Sequence, residues 1–276
     1  MQDVLLSNEP TIRLILFFSL FALFGASEAL APRRPRSIAR WYRWLNNFLI
    51  VALDSLVLRL FFPVAAVGFA LYVEDNGWGL FNILHLTRAA AILLSIVLLD
   101  LTIYAQHVGF HKISFFWSFH RMHHADLDLD VTSGFRFHPG EIIFSMAIKF
   151  AAIAVLGAPP VAILLFELIL ASSSLFNHSN IRFSLRTDAF LRWFVVTPDM
   201  HRVHHSAVRK ETDSNFSFSV PWWDYLFGTY CAQPAAGHDA MRIGLENFRS
   251  ESDLRFDRML VQPFIDPGTV GSKRSD

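Results

Sequence analysis

Long apolar stretches constrain this chain more than any other feature, because hydrocarbon about 30 Å thick is crossed by roughly 20 apolar residues in a helix. Thr11 to Ala31 is such a stretch, interrupted by Arg13 and Glu28. Phe48 to Val73 is a second, and Asp54, Arg59 and Pro63 inside it predict a kinked or tilted helix. Ala89 to Tyr104 is a third, with Leu80 to Arg88 as its interfacial lead-in. Ile142 to Gly157 and Val161 to Phe176 are shorter and joined by Ala158-Pro159-Pro160, a hairpin that either crosses the bilayer or dips partway. The expected fold is an all-α integral membrane protein with four to five transmembrane or re-entrant helices. Composition agrees, since 53% of residues are hydrophobic and only 17% charged, where a soluble domain carries about a quarter charged. The residues before Thr11 are acidic rather than basic, and the basic run follows the apolar one, which favours a retained helix over a signal peptide.

Loop charge gives an orientation. Pro32-Arg33-Arg34-Pro35-Arg36 and Arg40-Trp41-Tyr42-Arg43-Trp44 read as a basic loop edged by aromatic residues, the mark of the cytoplasmic side. Glu74 to Gly79 has no basic residue and belongs opposite. Residues from His107 to Glu141, and those after the hairpin, then share the cytoplasmic face. The expected units are 1–106 (N-terminal spans and basic loop), 107–234 (a histidine-rich region with the hairpin 142–176 and a cytosolic cap) and 235–276, a C-terminal tail whose last dozen residues look disordered. Zero net charge gives no electrostatic case for nucleic acid. The single cysteine, Cys231, excludes an intrachain disulfide, a cysteine-ligated iron–sulfur cluster and a four-cysteine zinc site.

Ten of the twelve histidines lie between His107 and His205. Eight form three clusters: His107 with His111; His120 with His123 and His124; His201 with His204 and His205. Spacings of three and four put each cluster on one helical face, and imidazole suits iron, zinc and copper. A tetrahedral zinc takes at most four ligands, so two metal ions fit the count better. His178 is a candidate ninth ligand, with Asn177 beside it. His138 is either a tenth ligand or a structural histidine that seats its loop. Asp100 and Tyr104 precede His107 on the same helical stripe, and Asp100 could accept a hydrogen bond from a ligand imidazole. His85 and His238 stand alone and read as structural or solvated. Three such clusters on one face have no packing rationale. A non-enzymatic metal-binding or metal-transport protein is the alternative, though transporters place ligands near the midplane, and these clusters flank the spans.

The boxes, in this order, resemble the fatty acid hydroxylase superfamily, also called the sterol desaturase family. The resemblance runs from Asp100 to about Tyr230. It includes Arg136-Phe137-His138-Pro139, Asn177-His178-Ser179-Asn180, Thr197-Pro198, Asp213-Ser214-Asn215-Phe216 and Trp223 to Thr229. Ser217 stands where the family often has glycine. The resemblance implies a non-haem dimetal centre as the catalytic group, with two iron ions (zinc as purified in some hosts) and O2. Electrons would come from a ferredoxin or cytochrome b5 type partner with its reductase. The reaction implied is hydroxylation or desaturation of a lipid or other hydrophobic substrate. Arg182, Arg186, Arg192, Arg209 and Lys210 are candidates for docking that partner. Arg121 and Arg202, inside the boxes, are expected to pair with carboxylates near the metals or to face water. Trp222 and Trp223 are expected to seat the cap on the membrane, and Gly228 to permit a turn.

Overall fold

The computed structural model describes residues 2–265, and among these it is helical, with isolated bridges but no β-strand. The main helices are α1 (Glu9–Leu30), α2 (Arg40–Phe61), α3 (Ala66–Asp75), α4 (Arg88–Lys112), α5 (Ser114–His124), α6 (Pro139–Leu156), α7 (Pro160–Asn177), α8 (Pro198–His204), α9 (Trp222–Phe227) and α10 (Phe256–Val261). Five helical segments are long and apolar enough to cross a membrane: α1, the α2–α3 stretch, α4, α6 and α7.

Local chemistry sets the boundaries. The second apolar stretch is two helices, since Pro63 lies in the break between Phe61 and Ala66 and cannot supply the N–H that a continuous helix needs. The third runs on past Tyr104 to Lys112, which carries His107 and His111 out on the end of an apolar helix. In the hairpin, Pro139 and Pro160 occupy first-turn positions where no donor is required. Each arm has 18 residues, about 27 Å of helix, so both are long enough to cross. Gly157 ends α6 with φ +71°, and a Cβ there would lie 2.5 Å from the Trp78 carbonyl. The loop before α4 therefore rests directly on the turn of the hairpin.

α7 sits centrally against α1, α3 and α4, while α6 packs on α2 and α3. Val67, Ala70, Leu99, Ile153, Ile163 and Phe166 form the core between them. Leu14, Ile15 and Phe18 on α1, Leu56 and Leu60 on α2 and Leu93 on α4 point outward, as a lipid-facing surface requires.

One expectation needs correction. Arg40 to Trp44 is not loop but the first turn of α2, and Arg43 is 1% exposed. Its guanidinium grips both oxygens of Asp126, at 2.7 and 3.0 Å, and also contacts Asp130. Arg33 turns inward too, reaching Asp199 at 3.2 Å and Asp239. Carboxylates next to the second and third histidine boxes thus claim arginines whose spacing alone suggests a solvated loop. The stretch 235–265 is folded: Leu254 and Met259 are fully buried, and Met259 packs with Ile50 and Met122. The last dozen residues, apart from Ile265, lie outside the described residues.

Candidate metal centre

The end of α4 carries His107 and His111, α5 carries His120, His123 and His124, and α8 carries His201 and His204, with His205 at its C-cap. His178 caps α7. Thr197 starts α8 by accepting from the Met200 N–H, and Pro198 fills its first turn, which sets the register of the third box. All nine imidazoles are 7% exposed or less. They fall into two groups in which one nitrogen of each ring lies within 4.8 Å of the others. His107, His111, His120, His124 and His204 form one; His123, His178, His201 and His205 form the other.

Hydrogen bonds decide which nitrogen faces inward. The outer Nδ1 of His107 bonds the Phe216 carbonyl at 2.7 Å, that of His204 the Ser214 carbonyl at 2.7 Å, and that of His178 the Ser174 carbonyl at 2.9 Å. Nδ1 of His123 bonds the Arg136 carbonyl at 3.2 Å. Two rings use carboxylates instead: His120 on Glu141 at 2.8 Å and His111 on Asp213 at 3.4 Å. A carbonyl or carboxylate can only accept, so each of these Nδ1 atoms carries the proton and each Nε2 presents a lone pair to the centre.

Those lone pairs face one another. Nε2 atoms of His111, His124 and His120 succeed each other at 3.1 and 3.2 Å. Those of His123, His178, His201 and His205 follow at 3.1, 3.0 and 3.2 Å. Nε2 of His204 is buried with no hydrogen-bond partner. Lone pairs this close repel unless a cation lies between them. Two nitrogens bound at about 2.1 Å to one ion, at right angles, lie about 3.0 Å apart. The donor set therefore fits two metal ions, one per group.

Electrostatics favour the ligating form. Burial, and then the neighbouring imidazoles, holds His123, His124, His201 and His205 well below the ordinary histidine value. Burial pushes His204 down to about 3 and His178 to about 4. All six stay neutral at physiological pH, as metal ligation requires.

Other residues singled out from the sequence divide. Asp100 and Tyr104 share the stripe of His107 but not its surroundings. The Asp100 carboxylate accepts from the Trp223 indole at 2.8 Å and the Tyr104 hydroxyl pairs with Thr229 at 2.9 Å, so both join α4 to the segment around α9 and hold no imidazole. His138 uses both nitrogens, accepting from the Gly140 N–H at 3.0 Å and bonding the Leu260 carbonyl at 3.1 Å; it is the seat of α6 and of the C-terminal stretch. Asn177 is buried beside His178 and donates to the Phe218 carbonyl at 3.1 Å. Arg202 is spent on Asp199, and Arg121 on the carbonyls of Gln262 and Ile265. Arg192 is buried against Asp188 at 2.7 Å, which withdraws it from any docking surface, whereas Arg182, Arg186, Lys210 and Arg209 (itself 3.0 Å from Asp213) are exposed. Trp222 is half exposed, and Gly228 takes φ +69°. His238 is buried near Asp199; His85 is exposed. Ser217 earns its place, since its hydroxyl accepts from the Asp224 N–H at 3.1 Å while its own N–H donates back to that carboxylate at 3.0 Å.

Nothing in the helical spacing of the boxes marks Glu141 and Asp213 as partners of imidazoles. An acidic residue opening an apolar span is the one sequence signal for Glu141; Asp213 lies in a loop with no such signal.

A cavity of about 430 Å³ enters between the apolar helices and ends on His107, His120 and His123, so its wall touches both groups. Phe17, Ile103, Phe110, Phe137 and Leu175 make much of its lining apolar.

Comparison with known proteins gives a consistent picture. The family model "Fatty acid hydroxylase" matches residues 92–229, half of the chain. An ornithine lipid hydroxylase of Rhizobium tropici is 32% identical over 180 residues, covering 65% of this chain and 52% of that protein. A very-long-chain aldehyde decarbonylase of Oryza sativa subsp. indica is 29% identical over 154 residues, 52% of this chain and 24% of its own length. An alkylglycerol monooxygenase of Xenopus tropicalis is 27% identical over 136 residues, 48% and 28% respectively. The match thus spans about half, or less, of each of these relatives. No solved structure matches.

Proposed function

The chain belongs to the fatty acid hydroxylase family, and from that membership we propose that it is a membrane-embedded, iron-dependent lipid hydroxylase. The observation that carries this reading is the convergence of nine buried imidazoles, in two groups, on the end of one apolar cavity. His107, His111, His120, His124 and His204 would hold one ion, and His123, His178, His201 and His205 the other. Such a pair, when bound and supplied with electrons, activates O2 for attack on an unreactive C–H bond.

The protein's own residues do the rest. Backbone carbonyls and the carboxylates of Glu141 and Asp213 fix the imidazole rings and their tautomers. The phenylalanines of the cavity bind hydrocarbon and keep water from the histidine end. With Cys231 as the single cysteine, electrons come from a separate redox protein. Arg182, Arg186, Arg209 and Lys210 are the exposed basic candidates left to dock it. The arginines between the first two spans support a cytoplasmic side for the histidine end. The names of the relatives, with lipid and alkylglycerol among them, support a lipid as substrate and an alcohol as product.

The test is elemental analysis of protein purified in detergent from iron-fed cells, beside His204→Ala/His205→Ala. That double variant removes one ligand from each group. We expect about two iron ions per chain, lost in the variant, and lipid extracts that gain one oxygen atom when a reductase system is added. Folded protein that binds no metal, and is indistinguishable from the variant, would reject the reading.

A further inference from the structure

The cavity does not stay apolar along its length. On the wall away from the histidines, Arg13 of α1 donates to Glu167 of α7 at 2.6 Å, and Lys149 of α6 donates to the other oxygen of the same carboxylate at 2.6 Å. Lys149 lies ten residues beyond Pro139, and Glu167 ten residues before Asn177, so both stand about 15 Å in from the histidine end of the hairpin. Ionisable groups at such depth are expensive and point to function. Their hydrogen bonds are lopsided. Both Glu167 oxygens are engaged and Arg13 is shared with Glu9 at 2.9 Å. An ammonium has three donors; that of Lys149 bonds Glu167 and lines the cavity.

A second cleft, of about 260 Å³, lies between α1 and α7 and shares Arg13, Phe17 and Glu167 with the cavity. Leu14 on its wall is 58% exposed, so the cleft opens toward the lipid-facing side of α1. The triad thus stands at a lateral mouth. Of the other acids on the cavity wall, Glu141 is held on His120 at the histidine end, and Asp54 lies buried on α2. Two cations, Arg13 and Lys149, meet on the one Glu167 carboxylate at the cavity wall, whereas the wall nearer the histidines carries Glu141 and no cation among its described residues.

We propose that Lys149 and Arg13, braced by Glu167, bind the anionic end of a lipid that enters laterally between α1 and α7. Its hydrocarbon then lies along the cavity toward His107 and His120. The inference rests on the lipid hydroxylase reading and names the class of its substrate: a lipid ending in an oxyanion, either carboxylate or phosphate. Eight residues of α6 separate Lys149 from Glu141, about 12 Å. The carbon attacked is therefore well down the chain from the anion, not next to it.

The experiment is competition against a fluorescent long-chain acid (cis-parinaric acid) on purified protein in detergent, with oleate, methyl oleate and lysophosphatidate as competitors. Oleate should displace the probe about tenfold better than methyl oleate, the worth of charge-assisted hydrogen bonds. If lysophosphatidate shows the advantage and oleate does not, the oxyanion is a phosphate. The preference should vanish in Lys149→Met and survive in Lys149→Arg. Equal displacement by ester and both anions, or a preference unchanged in Lys149→Met, overturns the inference. The wild-type comparison needs no variant, so it holds even where Lys149→Met fails to fold. Iron content of the same samples separates the two readings. Metal-loaded protein without the preference rejects only the anion site. Metal-free protein with the preference rejects only the hydroxylase.

Discussion

Single hydrogen bonds at the rims of the imidazoles set how well the centre is built. Glu141 holds His120 with its proton on Nδ1, and partners of this kind are typically worth about 10- to 100-fold in metal affinity. Glu141→Gln should weaken iron retention by that order in chelator competition while leaving the helical content unchanged; an unaltered release curve would make the contact incidental. Protons act at the same scale. His123, His124, His201 and His205 have folded-state values depressed by burial, so the folded protein excludes protons that the unfolded chain accepts near its ordinary value of about 6.5. Their contribution to stability is present above that pH and is lost as pH falls below it. Metal-free protein should therefore melt progressively lower from pH 7 to pH 5 and show no such loss between pH 7 and pH 8. The sequence made the nine candidate ligands legible because helical spacing is a local property. It misplaced Asp100 for a related reason. Seven residues along a helix preserve the side but move about 10 Å in depth, which takes Asp100 from the imidazoles to Trp223.

At the scale of elements, the boxes are held by pieces that carry no histidine. Arg43 on α2 binds Asp126 and Asp130, in the turn that follows the second box, and Asn47 one helical turn on donates to Thr132 at 2.9 Å. Glu28 at the end of α1 accepts from the N–H groups of Val131 and Asn180, both at 3.1 Å, so one carboxylate ties the turn after α5 to the turn after α7. Removing one partner of such a buried pair costs about 3–5 kcal/mol, because the other charge is stranded. Arg43→Ala should lower the melting temperature sharply and reduce bound iron with it, as measured by a thermal scan and elemental analysis. Lys substitution should rescue little, since a single ammonium cannot span both oxygens of Asp126. Apolar spans and their proline breaks were readable in advance because hydropathy and Pro63 act on their own neighbourhood. The fate of Arg43 was not, because its partners lie more than eighty residues away along the chain.

The whole molecule closes over the centre from its C-terminal side. Gln262 and Ile265 offer carbonyls to Arg121, Leu260 offers one to His138, and Phe256 donates to Asn46 at 2.7 Å, so residues 251–265 clamp α2, α5 and α6 together. Nothing periodic marks this stretch in the sequence, and only its long-range contacts give it structure. A chain truncated after residue 234 should still insert in membranes through its five apolar segments yet retain little iron, as fractionation and metal analysis would report. Full iron content in that truncation would assign the clamp no role in the centre.

The partition of the imidazoles also fixes an order of events during synthesis. The first group takes four rings from α4 and α5 and waits for His204; the second takes His123 early and waits for His178, His201 and His205. Neither set is complete until the ribosome has passed α8, by which time the α1 to α7 segments have already been made. Completion of both sets of ligands is thus a late step in the life of the chain, and any metal they hold would join a protein already inserted.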